Sequence, residues 1–229
     1  MNEEDVENLK WLEIFNKYDL YSKSKVRIDV EKVKPYYVSL IEKNRPFTCF
    51  DIATVIANFN TEIGDGGFGK VFVGHLNDGT AVAMKLLSLS SKQGYKEFQA
   101  EAQPLMIVHH KNLISLIGYC KKDDQMALVY EFMANGNLRQ HLSETKKTVL
   151  NWEQRLQIVV DVAQGLDYLH NCCKPPTVQK DLKPSNILLT ENVQAKIADF
   201  GLSRIFSTKT ASHVLTSCPA STLGYVDPE

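Results

Sequence analysis

The spacing of apolar residues switches several times between helix-like and strand-like periods once past residue 45. FDIATVIANF has the period of an amphipathic helix. From Ile63 to Leu76 apolar and polar residues alternate around glycines, which predicts strand, turn and strand, and TAVAMKLL predicts a further strand. GYKEFQAEAQPLMIV returns to helical spacing but contains Pro104, which is expected to end, kink or displace that helix near its third turn. LISLIGYC and MALVYEF are short apolar strands; beyond Asn135-Gly136 the chain turns helical in NLRQHL and in the long run WEQRLQIVVDVAQGLDYLH. The predicted order is strands with one helix, a hinge, then helices. Residues 1–45 are charged and aromatic, with helical periodicity in VENLKWLEIF and no nameable motif; a loosely packed extension of unknown role is expected there.

Composition narrows the functional classes. An apolar fraction of 44% with 23% charged residues is an ordinary globular mix, which argues against disorder of the whole chain. The 26 Lys and Arg nearly balance 27 Asp and Glu, so no global field points to nucleic acid or an anionic membrane as partner. No run approaches the ~20 apolar residues of a membrane span, and MNEEDVENLK lacks a signal peptide's basic-then-apolar start, so a cytosolic location is expected. The five cysteines have neither zinc-ligand nor redox-motif spacing and read as thiols.

The chemistry lies in the motifs. GDGGFGKV sets Gly64, Gly66 and Gly69 in a G-x-G-x-x-G-x-V pattern, through which backbone amides can approach phosphate oxygens without side-chain clash. Val71-Phe72-Val73 continues it as a strand, where a dinucleotide-binding loop would open a helix; taken alone, the pattern also fits a glycine-rich hairpin with no ligand. Lys85 closes VAMK on the next strand, where it can pair with phosphate oxygens, and Glu101 on the following helix can hold it. Asp181, Lys183, Asn186 and Asp199 then supply a carboxylate for a hydroxyl proton, a cation near a transferring phosphate, and oxygen ligands for magnesium.

With these motifs in this order, the chain from about residue 45 onward resembles a eukaryotic protein kinase domain. The wording of NRPFTCFDIATVIANF, MALVYEFMANGNL and ENVQAKIADFGLSR is similar to plant receptor-like serine/threonine kinases of the leucine-rich-repeat type with malectin-like ectodomains. The resemblance implies an α+β, bilobal protein-kinase-like fold: an N-lobe antiparallel sheet with one helix, and a truncated helical C-lobe. It implies three parts, an extension over 1–45, a juxtamembrane-like lead-in helix over 46–60 and a kinase domain over 61–229. Ile63, Gly64, Gly66, Gly67 and Gly69 would cover ATP, with Val71 and Ala83 above the adenine and Leu188 below. Glu131 and Met133 would offer hinge backbone contacts, with Tyr130 behind. Lys85 would bind phosphates and pair with Glu101, Asp181 would be the base, and Asn186 and Asp199 would ligate Mg2+. Lys183 is similar to the lysine of serine/threonine kinases, and with the protein-kinase-like activation segment it disfavours a tyrosine or small-molecule kinase. The implied partners are ATP, protein Ser/Thr substrates and other receptor kinases, with full-length relatives at the plasma membrane.

Four departures bear on activity. Gln179 and Lys180 stand where the family reads His-Arg, so stacking against Phe200 and coupling to activation-loop phosphorylation are expected to be weaker. Ser221 and Leu223 replace a Gly and a Pro in ASTLGYVDPE, while Thr222 keeps the threonine that faces substrate. Pro104 is expected to tilt the helix bearing Glu101. The sequence stops at the Asp227-Pro228-Glu229 motif that closes an activation segment, so later helices are expected to be missing, leaving the apolar face of WEQRLQIVVDVAQGLDYLH partly open and the chain marginally folded with little activity. The alternative reading is therefore a non-catalytic kinase-like binding module.

Overall fold

The computed structural model describes residues 45–55, 61–66, 69–87, 98, 101–102, 104–106, 108–122, 125–143, 149–173, 176–201, 204–205, 222 and 224–225. Six strands form its main sheet: β1 (Arg45–Pro46), β2 (Glu62–Gly66), β3 (Gly69–His75), β4 (Ala81–Leu87), β5 (Leu116–Lys122) and β6 (Gln125–Glu131), in the order β1-β5-β6-β4-β3-β2. All neighbours are antiparallel except β1, which pairs parallel to β5 through Arg45 and Gly118 and adds lead-in residues to the sheet edge.

Alternation along β4 distributes its side chains to two cores. Val82 and Met84, with Phe72, Cys120, Ala127 and Val129 from neighbouring strands, face one cluster that also contains Phe47 and fully buried Ile52 of α1 (Cys49–Val55). Leu87, with Leu116, Met126, Leu128 and Tyr130, faces the other, against Phe98, Ala102 and Leu105. Phe47 and Ile52 thus tie the described part of the lead-in to the core, while Phe50 stays exposed. The approach of α1 is close: a Cβ at Gly74 on β3 would lie 2.6 Å from the carbonyl oxygen of Val55, so any side chain there would push α1 off the sheet.

Phe98, Glu101, Ala102 and Pro104 to Met106 are helical, so Pro104 does not end the helix there. The carbonyl of Pro104 still accepts the Val108 N–H at 2.9 Å, and Ala102 and Leu105 are each 1% exposed. Tertiary packing of these side chains overrides the local penalty of the proline.

The helical part begins with α2 (Leu138–Leu142) and α3 (Trp152–Asp167). Asn137 and Asn151 cap them, each accepting from the backbone N–H of a Gln three residues on while that Gln side chain answers the cap's own N–H. A five-residue π-helical turn, Tyr168–Cys172, extends α3 and buries Leu169 completely. The inner face of α3 presents Ile158, Asp161 and Gly165 to a hairpin of β8 (Ile187–Leu189) and β9 (Ala195–Ile197), and Asp161 accepts the Ala195 N–H at 2.9 Å. The opposite face exposes Trp152, Leu156, Val159 and Val160. A two-stranded pair, β7 (Thr177–Val178) with β10 (Arg204–Ile205), closes the described part. Residues 1–44, and with them nearly all of the expected extension, lie outside the described residues.

Candidate active site

Two structural supports converge on the site, and the sheet provides the first. Lys85 on β4 and Glu101 on the neighbouring helix join through Nζ and Oε2 at 2.6 Å, with side chains only 11% and 4% exposed. The other oxygen of Glu101 accepts the Tyr130 hydroxyl at 2.6 Å, so both carboxylate oxygens are used. Burial first, then the Glu101 carboxylate and the charge of Asp199, push the Tyr130 phenol well above its ordinary value, and it stays a neutral donor. A buried pair of this kind is costly to break from one side, because the remaining buried charge loses its counter-charge.

The glycine-rich hairpin lies over this pair. Gly64 on β2 faces Val71, which pairs with Lys85, and Ala83 pairs with Tyr130. Gly66 and Gly69 close the hairpin; Gly69 has φ +127, and a Cβ there would meet the Leu86 carbonyl oxygen, so only glycine fits. Gly67 lies outside the described residues, and Ile63 is 46% exposed. Ala83 and Leu188 pack against the cluster that contains Tyr130 and Met133, while Leu188 bridges to Asn137 just past the hinge. The Glu131 side chain turns away to accept from Lys196 Nζ at 2.7 and 2.9 Å and from the Ser115 N–H.

The second support is the loop between β7 and β8. Asp181 is 3% exposed and accepts from three donors: Lys183 Nζ at 2.5 Å, the Thr222 hydroxyl at 2.6 Å and Asn186 Nδ2 at 3.1 Å. Lys183 also donates to Thr222 Oγ1 at 2.7 Å, closing a triangle. Burial would raise the Asp181 pKa, but the hydrogen bonds from Lys183, Thr222 and Asn186 and the Lys183 charge outweigh it, and the carboxyl titrates below its usual value of 3.8. It is ionised at neutral pH.

Gln179 takes on the positioning of this loop. Its Oε1 accepts the Asp181 N–H at 2.8 Å and its Nε2 donates to the carbonyls of Asp199 at 2.6 Å and Ala198 at 3.2 Å. Phe200 is 0% exposed inside the sheet-side core. The β8–β9 hairpin brings Asn186 beside Asp199, since the Ala198 N–H donates to the Asn186 carbonyl at 2.8 Å. Asp199 has φ +58, a left-handed conformation that costs a non-glycine residue energy and recurs at functional sites.

Among the described residues no cluster of three His, Cys, Asp or Glu could hold a metal alone. With its Nδ2 donating to Asp181, Asn186 retains its Oδ1, and Asp199 adds a carboxylate. That oxygen set suits a hard cation such as magnesium, which keeps several waters or phosphate oxygens.

A family model described as protein tyrosine and serine/threonine kinase matches residues 57–229. The chain belongs to that family. Among curated kinases of Arabidopsis thaliana, a receptor-like protein kinase is 50% identical over 216 residues, covering 93% of this chain and 24% of its own length. A protein named as a leucine-rich repeat receptor-like serine/threonine-protein kinase is 55% identical over 189 residues, 82% of this chain and 21% of its own. Another, named as a leucine-rich repeat receptor-like protein kinase, is 58% identical over 179 residues, 78% and 20% respectively. The chain therefore spans between a fifth and a quarter of these kinases. A second model, described as myo-inositol oxygenase, matches residues 1–49, leaving residues 50–56 between the two matches. No helix among the described residues is long and apolar enough to cross a membrane.

Within this chain the expected pair Lys85 with Glu101 comes together; Asp181 also meets Lys183, and Asn186 lies beside Asp199. Sequence reasoning missed the direct Thr222 contact with Asp181, the Gln179 bridge and the Lys196–Glu131 pair. Thr222 was legible as a substrate-facing residue. Nothing in the sequence joins Lys196 to Glu131, 65 positions apart.

Proposed function

We propose that this chain is an ATP- and magnesium-dependent serine/threonine protein kinase domain of receptor-like type. The observation that carries the reading is the buried, ionised Asp181 with the Thr222 hydroxyl hydrogen-bonded to one of its oxygens. That carboxylate accepts from hydroxyl groups in this surrounding. A substrate hydroxyl at the same carboxylate would be oriented for attack.

In the proposed step the substrate oxygen attacks the γ-phosphorus of ATP, the bond to the leaving ADP oxygen breaks, and the hydroxyl proton passes to Asp181. A carboxylate of lowered pKa is a weak base, which suits a loose transition state that needs orientation more than proton abstraction. Lys183, bonded to Asp181 and Thr222, would face the transferring phosphoryl group, and Lys85 the α- and β-phosphates, steadied by Glu101. Asn186 and Asp199 would hold Mg2+, which neutralises phosphate charge when bound. The adenine would lie among Val71, Ala83, Met133 and Leu188, its edge on the backbone of Glu131 and Met133 and its back against Tyr130.

The test is phosphate transfer from labelled ATP to a generic Ser/Thr peptide. It compares the chain, its Asp181→Asn variant, and a longer version carrying the residues that follow the matched region in a relative. Transfer by the chain or the longer version, lost in Asp181→Asn, supports the reading. A longer version as inactive as Asp181→Asn would replace it with a non-catalytic binding module.

A further inference from the structure

Two thiols meet on the sheet face that the proposed reaction does not use. Cys49 opens α1 and Cys120 lies on β5, 71 positions away in the chain, yet their Sγ atoms are 3.8 Å apart. Cys120 is 2% exposed, Cys49 is half-buried, and no disulfide joins them. Both belong to the core of Phe47, Ile52 and Met84, across the sheet from the core against which Lys85 and Glu101 meet.

Their neighbourhood is fixed by backbone and packing. α1 is anchored by fully buried Ile52, and the segment before it by the Phe47 N–H donating to the Tyr119 carbonyl at 2.8 Å. β5 is paired on both sides, to β1 and to β6. Closing the 3.8 Å gap to the ~2.05 Å of a disulfide requires an approach of about 1.8 Å, within reach of rotation about two Cα–Cβ bonds and a small shift of α1.

We propose that Cys49 and Cys120 are a modification site at which a peroxide converts the pair into an intramolecular disulfide. Cys49, the more exposed, attacks a peroxide oxygen as thiolate; the O–O bond breaks, giving a sulfenic acid and hydroxide. The Cys120 thiolate then attacks the Cys49 sulfur, the S–O bond breaks, hydroxide leaves and the S–S bond forms. Two thiols and one hydrogen peroxide yield one disulfide and two waters: the sulfurs lose two electrons and the peroxide gains them. The product staples the lead-in helix to the sheet and restricts the unfolded chain across a long loop, which stabilises the fold. Added thiols reverse it, so in a reducing compartment the bond is transient.

The competing thiols are exposed Cys172, its buried neighbour Cys173, and Cys218, which lies outside the described residues. The test treats the full chain with stepwise hydrogen peroxide, alkylates remaining thiols in denaturant, and maps peptides by mass spectrometry without reduction. The expected result is a Cys49–Cys120 crosslinked peptide that comes to account for most of the Cys49 signal and disappears with dithiothreitol. The oxidised chain should also melt higher than the reduced one. In Cys120→Ala, dimedone, which traps sulfenic acid, should label Cys49 several-fold more than in the parent chain. Recovery of Cys49 as the alkylated thiol, as sulfinic acid, or crosslinked to Cys172, Cys173 or Cys218 would overturn the proposal. The map on the unaltered chain decides this even where the variant folds poorly.

Discussion

The two ion pairs of the site share one chemistry and are built in opposite ways. Lys85 and Glu101 come from a strand and a helix 16 positions apart, and the packing of one against the other brings them together. Lys183 and Asp181 lie two positions apart on one loop, with Lys183 22% exposed and shared with Thr222. The first pair is part of the core, whereas the second holds its shape only because Gln179 and Asn186 pin the loop. Damage to the first should therefore appear in stability as well as rate, and damage to the second mainly in rate.

The largest expected effect is on rate. Asp181→Asn should lower phosphate transfer by about 10³-fold, in the range of a lost general base, with a much smaller effect on the melting temperature. Glu101→Ala should cost stability as well as rate, about 3–5 kcal/mol in urea unfolding, because buried Lys85 loses the carboxylate that holds it. Equal stability losses for Glu101→Ala and Lys183→Ala would erase the contrast. Tyr130→Phe removes one hydrogen bond to the Glu101 carboxylate and should cost about 2 kcal/mol by the same measurement.

Lys183→Ala offers a pH test. Lys183 is among the groups that lower the Asp181 pKa against its burial, so removing it should raise that pKa and shift the acid limb of the rate profile to higher pH. The sign for stability follows. With the folded pKa below 3.8, ionised Asp181 stabilises the fold above that value, and the contribution is lost as pH falls through the folded pKa; in Lys183→Ala the loss should begin at higher pH. An acid limb that stays in place would mean that Lys183 does not set the ionisation of Asp181.

Much of this was legible from local pattern. The period-two run TAVAMKLL gave β4 and placed Lys85 on the face opposite Met84, because alternation is a property of the strand itself. The cap asparagines ahead of α2 and α3 mark starts that the helical periods already implied. What escaped depends on contacts distant in sequence. β1 is two residues long, too short for any period, and its parallel partner lies about 70 positions on. Pro104 carries a local penalty that Ala102 and Leu105 offset by packing. At Gln179 the residue type suggested looser stacking against Phe200, since a lost ring is visible in sequence; the partners of its hydrogen bonds, Asp181, Ala198 and Asp199, are not.

Whether those bonds substitute for the usual histidine is the central question, and one comparison of rates addresses it. Initial rates of phosphate transfer from labelled ATP to a Ser/Thr peptide should be measured in an active form of the chain bearing Gln179, Gln179→His or Gln179→Ala. The account predicts that Gln179→His changes the rate by less than about threefold, and that Gln179→Ala, which leaves a buried amide and carbonyl unpaired at about 1–3 kcal/mol, lowers it by tenfold or more. A large gain in Gln179→His together with no loss in Gln179→Ala would contradict it.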